Sequence, residues 1–101
     1  MDIQKLMEQA RQMQDNLGRI EEELNATEYE GKAGGNSVKV VVNGRNEVQS
    51  VEIADDLMTV DNKEMLQDLI LIAVNEAVEK AFQDRENKLG SATSGLNLPG
   101  M

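Results

Sequence analysis

Residues 37–53, SVKVVVNGRNEVQSVEI, carry the strongest strand signal in the chain. A strand is expected from Ser37 to Val42, because Val recurs there at every second position, as on one face of a sheet. The run Asn43-Gly44-Arg45-Asn46 is a strong signal for a hairpin turn. A return strand is expected from Val48 to Ile53, with Val51 and Ile53 on one face and Val48, Ser50 and Glu52 on the other.

A further strand is predicted immediately before this hairpin, at residues 27–33. Its positions alternate between one face of Thr27, Tyr29, Gly31 and Ala33 and another of Glu28, Glu30 and Lys32. The run Gly34-Gly35-Asn36 provides a turn into the hairpin. Since short turns join all three strands, an antiparallel meander is the expected topology.

A helix is predicted before the strands, from about Asp2 to Asn25. Its apolar residues are spaced alternately by three and four, at Ile3, Leu6, Ala10, Met13, Leu17, Ile20 and Leu24. Nearly all of the remaining positions in this segment are polar or charged. Such a narrow stripe needs one partner of similar shape, and it cannot form the wall of a broad core.

A second long helix is predicted from about Asn62 to Lys88, opened by an Asp61–Glu64 capping pair. In the connector before it, residues 54–60, the side chains of Leu57, Met58 and Val60 are expected to be buried under the connector. From Met65 to Phe82 apolar residues cover more than half of the helix circumference. We therefore expect this helix to be buried on two sides, by the sheet and by a second surface.

These elements predict one α+β domain over residues 1–89 and a flexible tail rich in Gly and Ser over residues 90–101. The fold class is a helix, a three-stranded antiparallel meander and a helix, in two layers. A chain of 101 residues with only two aromatic side chains builds a small core. Burying the remaining apolar surface in a dimer is a natural remedy.

Composition excludes several classes of function. The chain has no Cys and no His, which removes disulfides, imidazole general bases and the usual zinc sites. The acidic pairs Asp55-Asp56 and Glu28/Glu30 lack a surrounding apolar pocket, so catalysis is not expected. No metal, cofactor or small-molecule substrate is predicted. The lack of Cys and His also favours a cytoplasmic protein. No apolar segment reaches membrane-spanning length, and the polar N-terminus does not predict a signal peptide.

The basic residues allow two interpretations. They can be ordinary surface charges paired with neighbouring acids, as the Glu76–Lys80 spacing suggests. They can also be phosphate contacts near the helix ends. The net charge of −9 argues against nucleic acid, because DNA binding draws most of its free energy from Lys and Arg displacing counterions.

Several short strings, in order, resemble the YbaB/EbfC family of bacterial nucleoid-associated proteins. They cover nearly the whole chain: KLMEQARQM (5–13), GKAGGNSVKVVVNG (31–44), VEI (51–53), DNKEMLQDL (61–69), VNEA (74–77) and SGLNLPG (94–100). The resemblance implies the same helix–meander–helix fold in a tweezer-like homodimer with projecting long helices. It also implies DNA binding with little sequence preference, no enzymatic activity and no cofactor.

The resemblance associates DNA contact with the projecting helices. The residues of this chain that can carry it are Lys5, Arg11, Arg19, Lys80, Arg85 and Lys88. The predicted function is therefore a homodimeric, nucleoid-associated protein that binds double-stranded DNA and contributes to nucleoid organisation and gene regulation. The alternative is an acidic dimeric scaffold that docks a basic protein and has weak or no affinity for DNA. Tyr29 is the only aromatic side chain expected at the surface for stacking against single strands.

Overall fold

The computed structural model describes residues 2–94. In chain order they form α1 (Ile3–Ala26), β1 (Glu28–Ala33), β2 (Val38–Asn43), β3 (Val48–Ile53), two 3₁₀ turns (Asp55–Leu57 and Val60–Asn62) and α2 (Lys63–Ser94). The predicted helix–meander–helix order is confirmed, with α2 packed on one face of the sheet in two layers. The molecule is elongated, measuring 71 × 26 × 15 Å.

Helix α1 begins at a side-chain cap. Asp2 Oδ1 accepts hydrogen bonds from the backbone N–H groups of Gln4 at 3.1 Å and Lys5 at 3.4 Å. At the other end, the Thr27 hydroxyl donates to the carbonyl oxygen of Glu23 at 2.6 Å. Both contacts satisfy backbone groups that the ends of a helix leave unpaired.

The sheet has the order β1-β2-β3, and both neighbouring pairs are antiparallel. The predicted apolar faces of β1 and β2 form the core, contributing Tyr29, Ala33, Val38, Val40 and Val42. The opposite faces of these strands are charged or polar at every position except Val41. This alternation is typical of an antiparallel sheet with one covered face.

Helix α2 lies very close to β1, because the facing residues are small. Ala73, Ala77 and Ala81 are buried against the sheet, and Gly31 lies directly below them. A Cβ atom on Gly31 would lie 1.9 Å from the carbonyl oxygen of Ala73 and 2.7 Å from the backbone nitrogen of Ala77. Glycine is therefore required at this crossing for steric reasons.

Strand β3 differs from its prediction at Val48. The direct partners of Val42 and Val40 are Val48 and Val51, and a register shift at Val41/Val42 accommodates one extra residue on β3. Strict alternation put Val48 and Val51 on opposite faces of β3, but the β-bulge puts them on the same face. At β3 this face is largely uncovered, because α2 crosses β1 and β2 and does not extend over β3.

The turn between β2 and β3 is organised by Asn43. Its side-chain oxygen accepts hydrogen bonds from the backbone N–H groups of Arg45 at 2.9 Å and Glu47 at 3.0 Å. The positive φ angle falls on Asn46, at 63°. Gly44 serves another purpose: a Cβ atom there would lie 1.9 Å from the carbonyl oxygen of Leu24, at the end of α1.

Three expectations about the second half of the chain are corrected. In the connector Leu57 is buried, whereas Met58 and Val60 are exposed. Asp61 lies within a 3₁₀ turn that leads directly into α2, instead of capping the helix. Helix α2 continues to Ser94, beyond its predicted end near Lys88.

The longer helix has a packing explanation. Leu89 and Ala92 are half-buried, and Ala92 borders a groove beside Met13 of α1. Tertiary packing thus outweighs the low helix propensity of the Gly90 region. Residues 95–101, the rest of the predicted tail, lie outside the described part of the chain.

Candidate nucleic-acid interface

Helix α1 and the last part of α2 lie side by side and project from the sheet. Leu24, at the base, is the only buried residue among those of α1. Near the outer end of α2, Ala92 lines a groove together with Met13, Asn16 and Arg19 of α1. The two helices are therefore antiparallel, and we call residues 2–20 and 84–94 together the helical arm.

Arg85 fixes the arm to the sheet. Its Nη2 donates to the side-chain oxygen of Asn25 and to the carbonyl oxygen of Gly44, both at 3.1 Å. Its Nη1 lies 3.6 Å from a carboxylate oxygen of Glu21. One half-buried guanidinium thus joins α1, α2 and the β2–β3 turn, using the forked geometry that only Arg provides.

Tyr29 fixes the same region through Asp84, the neighbour of Arg85 on α2. Its hydroxyl donates to Asp84 Oδ2 at 2.6 Å, and Lys88 Nζ lies 3.1 Å from the same oxygen. Burial, assisted by Asp84, raises the pKa of Tyr29 from 10.0 to about 12. The hydrogen bond from Tyr29, followed by the contacts with Lys88, lowers the pKa of Asp84. Tyr29 is thus buried and bonded, and it is not the exposed stacking surface that was expected.

The other predicted site residue of α2, Lys80, is also engaged within the protein. Its Nζ donates to the carbonyl oxygen of Glu30 at 2.8 Å and lies 3.4 Å from a carboxylate oxygen of Glu76. Glu76 in turn accepts a hydrogen bond from the backbone N–H of Lys32 at 3.3 Å. These contacts tie the middle of α2 to the open edge of β1.

The three basic residues of α1 are placed differently. Lys5, Arg11 and Arg19 are all exposed, on the half of the helix that faces away from the apolar stripe. Arg19 donates to the side-chain oxygen of Asn16, one helical turn away. Within residues 2–94 none of the three forms an ion pair. Lys5 and Arg19 are fourteen residues apart, or about 21 Å along the helix axis.

Charge is distributed unevenly between the arm and the body, which we define as residues 21–83. The body carries fourteen carboxylates and five basic side chains, which accounts for the whole net charge of −9. The arm carries five of each, and is neutral. The arm is therefore the part of the molecule least repelled by a polyanion.

Other kinds of site receive no support from the described residues. The acidic pairs considered from the sequence, Asp55-Asp56 and Glu28/Glu30, are exposed. Among residues 2–94 no group of acidic side chains is arranged to hold a metal ion. No helix in this part of the chain is long and apolar enough to cross a membrane.

The anchoring functions of Arg85 and Tyr29 were not foreseen. Charge alone marks Arg85 as a candidate for DNA contact, since a sequence does not show that its partners lie on α1 and a distant turn. A weak signal for Tyr29 was available, because its position falls on the predicted buried face of β1.

Comparison with known proteins agrees with this architecture. A nucleoid-associated protein of Pelotomaculum thermopropionicum is 44% identical over 100 residues, covering 99% of this chain and 95% of the relative. One from Clostridium novyi is 43% identical over 101 residues, covering 100% and 89%. The crystal structure of an uncharacterized protein from Helicobacter pylori superposes with a TM-score of 0.75 at 27% identity, covering 90% of this chain and 96% of that one.

The sequence matches the YbaB/EbfC DNA-binding family over residues 1–96, which include every element of the described fold. Taken with relatives that share more than 40% of their residues over nearly the full length, this match identifies the protein as a member of the YbaB/EbfC DNA-binding family.

Proposed function

We propose that the protein is a non-catalytic, nucleoid-associated homodimer of the cytoplasm that grips double-stranded DNA with its helical arms and shows little sequence preference. The observation that carries this proposal is the segregation of charge, since the full net charge of −9 resides on the body and the arm is neutral. Family membership supplies DNA as the partner. Contribution to nucleoid organisation and gene regulation follows from such binding.

Of the six candidate residues, Lys5, Arg11 and Arg19 are best suited to contact phosphates. They are exposed, and none forms an ion pair with the described residues. Their span of about 21 Å along α1 is comparable to about six base pairs at 3.4 Å each. Contacts of this kind position a protein on DNA without reading its sequence.

The candidates on α2 contribute less directly. Lys88 can reach DNA only if its ion pair with Asp84 breaks. This ion pair is partly exposed, so breaking it costs little free energy. Lys80 and Arg85 act on DNA binding through the fold, because their contacts hold β1 and the base of the arm. Their replacement would disturb the geometry of the arm as well as its charge.

The dimer interface is proposed on the uncovered side of α2 and β3. Phe82 on α2 and Val48 on β3 are each 53% exposed, and Leu71 and Val51 add further exposed apolar surface. Phe82 borders a groove next to the β2–β3 turn, from which Val48 follows directly. An exposed apolar area of this kind is typical of a surface that another copy covers.

The dimer is tested by sedimentation of Phe82→Asp, with Val60→Asp as the matched control. Both residues are exposed and apolar, but Val60 lies on the connector, outside the proposed interface. The wild type and the control are expected to sediment as dimers and Phe82→Asp as a monomer. A monomeric wild type, or a dimeric Phe82→Asp, would contradict the proposed interface.

DNA binding is tested by fluorescence anisotropy on a duplex over a range of salt concentrations. Arg11→Glu removes one phosphate contact from each protomer, so the slope of log K against log salt should become shallower by about 2. Arg45→Glu makes the same charge change on the body and should leave the slope unchanged. Equal effects of the two substitutions would exclude the arm as the binding surface.

The acidic body also supports the second candidate function, a scaffold for a basic protein partner. Fourteen carboxylates on residues 21–83 provide the complementary charge. The same titration separates the two functions. A wild-type protein that does not bind the duplex even at low salt would favour the scaffold.

A further inference from the structure

A line of uncharged amide side chains connects two of the proposed phosphate contacts on α1. Lys5 and Arg19 lie at its ends, and the positions between them follow at steps of four, three, four and three residues. Amides fill these positions: Gln9, Gln12 and Asn16. Since residues at this spacing share one side of a helix, the five side chains form a continuous row about 21 Å long. We call residues 5, 9, 12, 16 and 19 the amide row.

The amide row borders an open groove of the helical arm. Gln9, Gln12, Asn16 and Arg19 line this groove. From the described part of α2 the groove is lined by Ala92, whose side chain is small. All five members of the row are exposed. The row is therefore accessible to a second molecule that lies along the groove.

The amides of the row have hydrogen-bonding capacity that the described protein does not use. Within residues 2–94, neither the Gln9 nor the Gln12 side chain has a hydrogen-bond partner. Asn16 accepts a bond from Arg19 with its side-chain oxygen, so its NH₂ group points to other acceptors. Each such NH₂ group carries two donors, and phosphate oxygens of DNA are acceptors that suit them.

One carboxylate opposes phosphate at this surface. Among the described residues that line the groove, Asp15 is the only acidic one, and it lies four positions before Arg19. Its repulsion would offset part of the attraction between Arg19 and a phosphate. Binding along the groove therefore needs favourable contacts besides ion pairs, and the amides can supply them.

We propose that the three amides of the row, Gln9, Gln12 and Asn16, donate hydrogen bonds to phosphate oxygens of the duplex. The inference rests on the proposed function and deepens it, because it assigns the groove side of α1 to DNA. Contacts of this kind add affinity without releasing counterions, since it is Lys and Arg that displace the cations held by phosphates. They read no base sequence, in agreement with the low sequence preference proposed above.

A salt titration of duplex binding separates an amide contact from an ionic one. Gln12→Ala should weaken binding about tenfold at every salt concentration, because each protomer of the proposed dimer loses a hydrogen bond to a charged group. The slope of log K against log salt should keep its wild-type value. Lys5→Ala, at the end of the same row, should instead make the slope shallower by about 2.

Gln14→Ala is the matched control for Gln12→Ala. Gln14 is exposed on the same helix but lies about 200° around its axis from Gln12, so this variant should bind like the wild type. Equal binding by the two variants, with a wild type that binds the duplex, would overturn the inference and leave the proposed function intact. A wild type that does not bind the duplex would overturn both.

Duplexes of different composition distinguish phosphate contacts from base contacts. The loss caused by Gln12→Ala should be the same on an A·T-rich and a G·C-rich duplex. A loss confined to one of them would assign Gln12 to the base edges and overturn the phosphate contact.

Asp15→Asn tests the same surface through a gain in affinity, which a disturbed fold would not produce. Removing this carboxylate from the groove should strengthen duplex binding several-fold at low salt. Asp56→Asn makes the same change at an exposed position of the body and should have a smaller effect. Equal effects of the two substitutions would contradict the placement of DNA along the groove.

Discussion

Gly31→Ala is the sharpest test of how the two layers are held together. The new Cβ atom would lie 1.9 Å from Ala73 O, 2.7 Å from Ala77 N and 2.9 Å from Ala73 C. All three are backbone atoms, so no side-chain rotation relieves the overlap. Helix α2 would have to move away from β1 by about 1 Å or more, and Ala73, Ala77 and Ala81 would lose contact with the sheet.

We expect this single methyl group to lower the free energy of unfolding by about 3 kcal/mol, the upper end of the range for overpacked cores. The measurement is urea denaturation followed by circular dichroism, at equal protein concentrations because dimerisation affects apparent stability. Gly18→Ala is the control, since a Cβ atom there has no neighbour within 4 Å. On the helix surface it should stabilise the protein by about 1 kcal/mol. A Gly31→Ala protein as stable as the wild type would refute the close crossing of α2 over β1.

Four further outcomes follow from the contacts at the base of the arm. Arg85→Ala should lower the free energy of unfolding by about 2 kcal/mol, because two hydrogen bonds from a charged donor are lost. Arg45→Ala is the control: its side chain is exposed, so the free energy of unfolding in the same urea experiment should hardly change. Tyr29→Phe keeps the buried ring but removes the bond to Asp84, and should cost about 1 kcal/mol at neutral pH. Because the pKa of Tyr29 is raised from 10.0 to about 12, its contribution is complete below pH 10 and is lost as the pH rises through 12, which absorbance of the single tyrosinate can follow. The lowered pKa of Asp84 acts at the acid end, where its contribution is lost as the pH falls, so wild type should lose more stability on acidification than Tyr29→Phe.

The regular features of this fold could be predicted from the sequence, because they repeat. Alternating Val residues identified the buried face of β2, and the stripe from Ile3 to Leu24 identified α1. The face shared by Tyr29, Gly31 and Ala33 was also correct. Each of these signals depends on local periodicity, which the chain carries in its own order.

The features that could not be predicted depend on single residues or on distant partners. Val48 changed face because one extra residue at a bulge breaks the two-residue period. Gly44 looked like a turn residue, yet its decisive neighbour is Leu24 of another element. Arg85 looked like a DNA contact because charge is visible in a sequence, while the carbonyl oxygen it binds is forty-one positions away. At the candidate site, local pattern therefore identified which residues were charged, but not which of those charges were already engaged.

The separation of charge within the molecule affects how it would meet DNA. A molecule with a neutral arm and a body of charge −9 experiences a torque in the field of a polyanion, which turns the body outward and the arm inward before contact. Bound copies would then present their acidic bodies to one another along the duplex. Mutual repulsion between neighbouring bodies would set a minimum spacing between bound copies, and this spacing would shorten as salt screens the repulsion. The density of protein on DNA would then depend on ionic strength even if the affinity of a single copy did not.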